Sequence, residues 1–504
     1  MLVNGYNVCD HRKAPGSRVT ARACRLERDG MTKRILDNSI SRRSMLVGLG
    51  SAAVAGLAMP NLLIGGAKAQ GKYKLDLGGY TGPEPTSQPI TLRFMRQDFT
   101  PEVNALIEKA YAEFTAAYPN ITITEEKVPY GDLQKKMQVY VSSGDAPDIM
   151  MGRTDFSEAY HAGQISVPMQ QFFSKDYLED FPAPLLEAAS SHGNVYCLPW
   201  ETVGTMLYFN RDIFEKAGIP TPVESTDLEA GWNVEEFLGT MEELTKKLRA
   251  AGDTQTWAVA AAASGNGGPG SNYTQLEAIW IRSQGDANAP KDSSAYKTLM
   301  GVSEDGRSAT GYIDTPEAVL GMTNYQAMFS RKLTPLGAVP NQYPGGLAAT
   351  YFGGLNYAMR FLGPNGNPGF RWGTTTTPRG KFVFTSNSSD SPLIWSKSKY
   401  QPEAAALLGY ICNNPNRIAF HRAWGSLPAR YSLRNEMEEF KTLQPFQLAA
   451  KLSTVSHGAP RTAGYFDYFN AMNPAVKDIA LGADPQATLT DAAGKIDRLL
   501  AKYR

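Results

Sequence analysis

The chain has 504 residues, 20% of them charged and 10% aromatic, with 50 Lys+Arg against 49 Asp+Glu and a formal net charge of +1. Charge this balanced, with no basic stripe, gives no electrostatic footprint for nucleic acid or an anionic membrane. Five histidines and four cysteines supply metal centres poorly, and no flavin, haem or iron–sulfur motif is present, so no metal or cofactor is expected.

The N-terminal region reads as an export leader. Ser41-Arg42-Arg43-Ser44-Met45-Leu46 precedes an Ala-, Gly- and Leu-rich run from Val47 to Ile64, then the small-x-small site Ala67-Lys68-Ala69. A charged region, an apolar region and an A-x-A site in that order define a secretory signal peptide. The paired arginines resemble a twin-arginine signal, with Met45 where Phe is usual. Residues 1–69 are therefore set aside as a long basic leader, within which Met31 is a second candidate start. Removing their 11 Lys+Arg and 4 Asp+Glu leaves 39 basic and 45 acidic residues, net −6. No later apolar run approaches the ~20 residues that span a bilayer. With no Cys after the cleavage site, the expectation is a soluble periplasmic protein and not a lipoprotein. Cys197 and Cys412 remain, and both a disulfide and two buried thiols stay open.

Residues 70–89 are Gly/Pro-rich and read as an extended tether. Ile90-Thr91-Leu92-Arg93-Phe94 alternates as a strand. Val103, Leu106, Ile107, Ala110 and Phe114 then recur at helical spacing within Pro101–Tyr118. Ile121–Thr124 predicts a second strand, Tyr130–Ser142 a second helix and Asp148–Met151 a short buried strand. This rhythm implies parallel pairing in an α/β sheet. Between about 253 and 311 the pattern gives way to long loops carrying one helix near Leu276–Ile281. Helical patterns return at Thr315–Ser330 and Pro402–Asn413.

Eight segments fall in an ordered series: FTAAYPN (114–120), SGDAPDIM (143–150), GNVYCLPW (193–200), LYFNRDIFEKAG (207–218), WNVEEF (232–237), Tyr357-Ala358-Met359, SKSKYQPEAA (396–405) and GSLPAR (425–430). Together, over nearly all of residues 90–504, they resemble family 1 extracellular solute-binding proteins, the group of the maltose and glycerol-phosphate binders. The resemblance implies a two-lobe, type II periplasmic-binding-protein fold with a hinge, each lobe a mostly parallel sheet flanked by helices. It places one lobe at about 88–202 with 378–426 and the other at 205–375 with 430–504. It implies a binding subunit of a carbohydrate ABC importer, partnered by membrane permease subunits and monomeric.

A sugar site needs carboxylates or amides beside aromatic rings. Asp155 follows a strand end, where a parallel sheet presents ligand-facing loops, and matches the family's sugar-gripping carboxylate; a helix N-cap is the structural alternative. Gln97 and Asp98 follow the first strand in the same way. Trp200 and Glu201 close the LPW motif at the predicted hinge, the first to stack or to pack, the second to accept hydroxyls. Arg360 lies in a segment resembling the family's AM…GPW, but Asn365 stands where a stacking Trp is common, leaving Trp372 or Trp395 as substitutes. The Gly-Gly usual before Trp395 is replaced by Asn387-Ser388-Ser389-Asp390. Arg360 keeps a glycerol-phosphate-type or other anionic solute in play. A periplasmic glycoside hydrolase is the enzyme alternative, although GxSxG, HExxH and phosphate-loop motifs are absent.

Overall fold

The structure, a computed structural model, describes residues 73–202, 204–260, 278–337, 339–363, 366–413 and 417–503, all within the unit Lys68–Arg504. The leader, the first residues of the tether and Asn365 lie outside the described residues.

Strand and helix alternate from Ile90 because their burial patterns do. Strand β1 (Ile90–Gln97) leads into α1 (Pro101–Ala117), β2 (Ile121–Val128), α2 (Leu133–Ser143) and β3 (Ile149–Arg153). Thr100 caps α1 by accepting from the Val103 N–H, and Pro101 occupies the first turn, where its missing N–H costs nothing. Val103, Ile107, Ala110 and Phe114 bury one face of this helix. The predicted helix from Tyr130 starts as a 3-10 turn, Tyr130–Asp132, before α2 takes over.

The chain then crosses through the two-residue strand β4 (Glu201–Thr202) into β5 (Met206–Asn210). There follow α3 (Val234–Ala250), β6 (Trp257–Val259), α4 (Pro316–Ser330), β7 (Ala348–Gly353), α5 (Asn356–Leu362) and β8 (Trp372–Thr375). Asn233 and Glu236 form a reciprocal capping box at the start of α3, and Trp232 packs beside it on Phe214 and Phe237. Strand β9 (Asp390–Ile394) precedes α6 (Gln401–Asn413), α7 (Arg417–Trp424) and β10 (Leu427–Pro428). The C-terminal helices include α8 (Gln444–Ser453), α9 (Tyr465–Ala480) and α10 (Pro485–Leu500).

Two four-stranded sheets result. The first has the order β9-β3-β1-β2, with β1 parallel to β2 and β3, and β9 antiparallel to β3. The second has the order β8-β5-β7-β6; here β5 runs against both neighbours and only β6 and β7 are parallel. The mostly parallel description thus fits the first sheet, while the second is mixed. No βαβ crossover joins β5 to an adjacent strand, so nothing imposes parallel pairing on it. Between the sheets, β4 pairs with β10, placing Glu201 opposite Pro428.

Within the 253–311 region the expected helix is present at Ala278–Arg282. A second helix, Ser294–Met300, also forms: Ser293 caps its start, and Gly301 at φ +72 ends it in a left-handed conformation suited to glycine. Residues 261–277 lie outside the described residues. Cys197 and Cys412 are both free and buried.

Candidate functional site

The first sheet brings chemistry to one edge. Because β1, β2 and β3 are parallel, their C-terminal ends share an edge, which is where open α/β sheets present ligand loops. Antiparallel β9 begins at that edge, with Asp390 opposite Arg153. The crossing segment adds Glu201, whose carbonyl accepts from the Ser389 hydroxyl. Arg153, Asp155, Glu201 and Asp390 thereby form one electrostatic cluster.

Asp155 sits in the 3-10 turn after β3 with its side chain 1% exposed. It pairs with Arg153 at 2.6 Å and accepts from the Ser388 hydroxyl at 2.7 Å, while its Oδ1 has no protein donor. It does not serve as an N-cap. The Ser389 N–H donates to the Thr154 hydroxyl at 3.0 Å, and the Thr154 N–H donates to the Ser389 carbonyl at 3.1 Å. The polar run 387–390, standing where the family commonly has glycines, therefore laces this turn in place.

Glu201 accepts from the Trp424 indole N–H at 3.4 Å, and its Oε2 has no protein donor. Burial raises its carboxyl above the ordinary range, against the opposing influence of the Ser426 hydroxyl and the Arg417 charge. Asp390 is pushed up to about 7, first by burial and then by the Glu201 charge, with Arg153 pulling the other way. Burial and the neighbouring Glu201 charge thus favour the protonated form of Asp390 at this edge. Tyr130 adds a ring with Arg153 5.9 Å from its centroid. Its surface is 47% exposed, yet burial at the hydroxyl end holds it well above the usual tyrosine range. One flank open and one walled in suits a side chain at the mouth of a cleft.

The remaining sequence candidates disperse. Gln97 is buried with its Oε1 lacking a donor, so it stays at the acceptor-rich edge. Asp98 is exposed beside it and accepts from Asn104 at 2.9 Å. The adjacent Arg96 is turned inward, fully buried, and paired with Glu125 at 2.8 Å.

Of the two roles left open for Trp200, packing is the one the structure shows. Trp200 is 3% exposed, its ring stacked on Phe420 and covered by Arg417 at 4.5 Å, so it packs the hinge. That burial brings Arg417 down to about 9 while its guanidinium donates to the Trp200 carbonyl at 2.8 Å.

Trp395 and Trp372 lie away from the carboxyl cluster. Since β9 is antiparallel, Trp395 emerges at the opposite end of the sheet from Asp390, its N–H on the Asp148 carbonyl. Trp372 pairs with Asn210, at the end of the second sheet away from Met206 and Gly353, and packs on Phe361 and Tyr208. Arg360 is exposed on α5 with no ion pair among the described residues.

The start of α5 meets the segment beside Glu201. Gly425, at φ +79, lies so near Asn356 that a Cβ would come 2.9 Å from its Cα. This contact sets the start of α5 against the Trp424–Ser426 segment that flanks Glu201. Tyr357, half-buried, follows immediately and packs on Tyr351 at 4.6 Å. Sequence reasoning missed Arg153, Asp390 and Tyr130 as site members. The replacement of glycines by Asn387–Asp390 was the available signal for Asp390; no spacing rule points to the other two.

Residues 98–416 match the model of the bacterial extracellular solute-binding protein family. The chain belongs to that family. A Brucella abortus (strain 2308) relative, described as a candidate binding protein, is 24% identical over 421 residues, 82% of this chain and 93% of its own. The structure is similar to an ABC substrate-binding protein from Listeria monocytogenes in complex with cycloalternan, with TM-score 0.65, 15% identity and coverage of 82% of this chain and 99% of that one. It is also similar to an ABC transporter solute-binding protein from Agrobacterium radiobacter K84 in complex with ribitol, with TM-score 0.62, 22% identity and coverage of 82% and 100%. These structures show the fold of this solute-binding protein: two α/β lobes of the type II periplasmic class. No helix among its described residues is long and apolar enough to cross a membrane.

Proposed function

We propose that this solute-binding protein is the capture subunit of a carbohydrate ABC importer, binding a neutral di- or oligosaccharide without transforming it. In this reading a twin-arginine signal exports it to the periplasm, where it works as a monomer delivering sugar to membrane permease subunits. The lobes, 88–202 with 378–426 and 205–375 with 430–504, close over ligand because ligand touching both favours the closed form.

The observation that carries the proposal is the cluster at the first sheet's edge. Asp155 Oδ1 and Glu201 Oε2 are buried acceptors without protein donors, and sugar hydroxyls are donors of the right kind. Buried acceptors left unpaired cost about 1–3 kcal/mol each, which a hydroxyl-bearing ligand recovers. A phosphate brings no donor to these two acceptors, so the cluster favours a neutral, hydroxyl-rich sugar over a glycerol phosphate. Tyr130 and Tyr357 offer rings for C–H faces. The likeness to proteins holding cycloalternan and ribitol supports the same class.

The test is thermal shift of the purified chain against neutral di- and oligosaccharides, polyols and glycerol phosphates. Ligand at about a thousand times Kd adds roughly 4 kcal/mol of stability. A neutral sugar that raises Tm and is recovered unchanged is the expected result. Stabilisation by glycerol phosphates alone overturns the neutral assignment, and consumption of the sugar replaces binding by glycoside hydrolysis.

A further inference from the structure

We propose that Glu158, His161 and His192 form a site for a divalent transition-metal ion of the zinc type, separate from the carboxyl cluster of the ligand edge. One potential donor atom from each of the three lies within 4.8 Å of the others. Glu158 and His161 are three residues apart on the short helix Ser157–Ala162, so they share a face. His192 reaches the same spot from the tip of a hairpin whose strands are Ser190–Ser191 and Asn194–Val195. The rings of His161 and His192 are 4.7 Å apart.

Three features mark this as a built arrangement. His192 occupies the left-handed region at φ +47 in a tight turn with Gly193 at φ +79. A non-glycine residue in that conformation is uncommon, and here it aims an imidazole at another imidazole. The tautomer of a neutral His161 ring follows from its partners. The Ser191 hydroxyl donates its one hydrogen to Glu158 at 2.7 Å, so at its 3.0 Å contact with His161 Nδ1 it accepts. His161 therefore carries its proton on Nδ1 and presents an Nε2 lone pair, the orientation that an outer hydrogen bond gives a metal-ligating histidine. Tyr196 stacks on the His161 ring at 5.2 Å and fixes its plane.

Glu158 shares its other oxygen with Arg461 at 2.6 Å, leaving lone pairs on both oxygens. Two imidazoles and a carboxylate suit zinc, with a fourth position open to water. A tetrahedral ion holds its donors about 3.4 Å apart, at ligand distances near 2.1 Å. Closing from 4.8 Å to about 3.4 Å needs side-chain movement of about 1.4 Å, which the exposed His192 permits. The histidines stand 31 residues apart, a spacing outside any short metal motif, whereas the expectation of no metal rested on how few histidines and cysteines the chain has.

The experiment strips the purified, untagged chain with EDTA and titrates Zn2+ against a chromophoric chelator, with Co2+ absorption as the geometric readout. Wild type binds one ion, and His161→Gln or His192→Asn weakens that ion at least tenfold while removing the Co2+ visible band. Asn at 192 retains a residue tolerated in the left-handed turn, and far-UV circular dichroism melts check that both variants are folded. Absence of Zn2+ binding, or binding that neither variant weakens, overturns the site. Sugar binding is read separately by thermal shift, so failure of the carbohydrate reading leaves this test intact.

Discussion

The C-terminal edge of the first sheet and the start of α5 beside the second are built from different materials. The first gathers Arg153, Asp155, Glu201 and Asp390, groups that pay for burial through pairing and shifted protonation. The second sets Tyr357 in a nest of rings, with Tyr351 at 4.6 Å, Phe361 at 5.9 Å and Tyr208 at 6.0 Å. The Tyr208 hydroxyl donates to the Gly354 carbonyl at 2.7 Å and accepts from the Ala358 N–H at 3.1 Å, pinning the start of α5. On the proposed function, one edge would select hydroxyls and the other would supply apolar surface held rigidly. Specificity should reside mainly in the charged edge, and added affinity in the aromatic one.

Asp155→Ala breaks this comparison most severely. It removes the partner of a guanidinium that is 14% exposed and a buried acceptor without a protein donor. Breaking a buried pair costs about 3–5 kcal/mol, and loss of a charged hydrogen-bonding group should lower sugar affinity about a hundredfold. Chemical denaturation and calorimetric titration read the two effects separately. Unchanged affinity with lowered stability would reduce Asp155 to a structural residue.

Tyr357→Ala should act on the other edge with smaller force. An aromatic contact is worth about 0.5–1.5 kcal/mol beyond burial, so sugar affinity falls about tenfold. The preference among sugars measured by calorimetry should stay the same, since the acceptors are intact. A change in preference without a loss of affinity would invert the division of labour between the edges.

The sequence made the first sheet legible because its strands obey period two and its helices carry caps and spaced apolar residues within the β–α alternation. It also placed Asp155, Glu201 and Gln97 correctly at strand ends or the crossing. It could not separate Trp200, Trp372 and Trp395 by role, because a tryptophan looks alike whether it packs or stacks. The direction of β9 decides the matter for Trp395, and that direction depends on a strand pairing distant in the chain. Arg153 and Asp390 were hidden for the same reason: they become neighbours only through the β3–β9 register.

Protonation offers a milder probe. Asp390 has a folded-state pKa raised to about 7, so the folded chain holds a proton that the unfolded chain releases near 4. Where the native state binds more protons, stability falls as pH rises. Ligand-free stability should therefore decline between about pH 4 and 7 and level off above, with Glu201 contributing in the same direction. Asp390→Asn should flatten that slope in denaturation midpoints taken from pH 5 to 8. Sugar affinity should rise severalfold over the same interval, because the ionised carboxyl is the better acceptor. A slope unaltered by the substitution would assign the proton to Glu201.

Trp395→Phe should change affinity least of all, and this null effect discriminates. A sequence reading makes Trp395 as good a platform as any other tryptophan, since it follows a polar run that does reach the cluster. The backbone runs the other way: five residues of antiparallel strand, at about 3.4 Å each, carry Trp395 some 17 Å from the Asp390 end. There its ring packs on the first lobe's core, and its backbone bridges Ser166 and Asp148. Replacing it with Phe should cost a kilocalorie or so of stability, about 1 kcal/mol for a partly buried ring made smaller, and leave the calorimetric Kd within twofold. A tenfold loss of affinity would mean that sugar contacts the far end of the sheet, and the assignment of the strand-end edge as the ligand edge would fall with it.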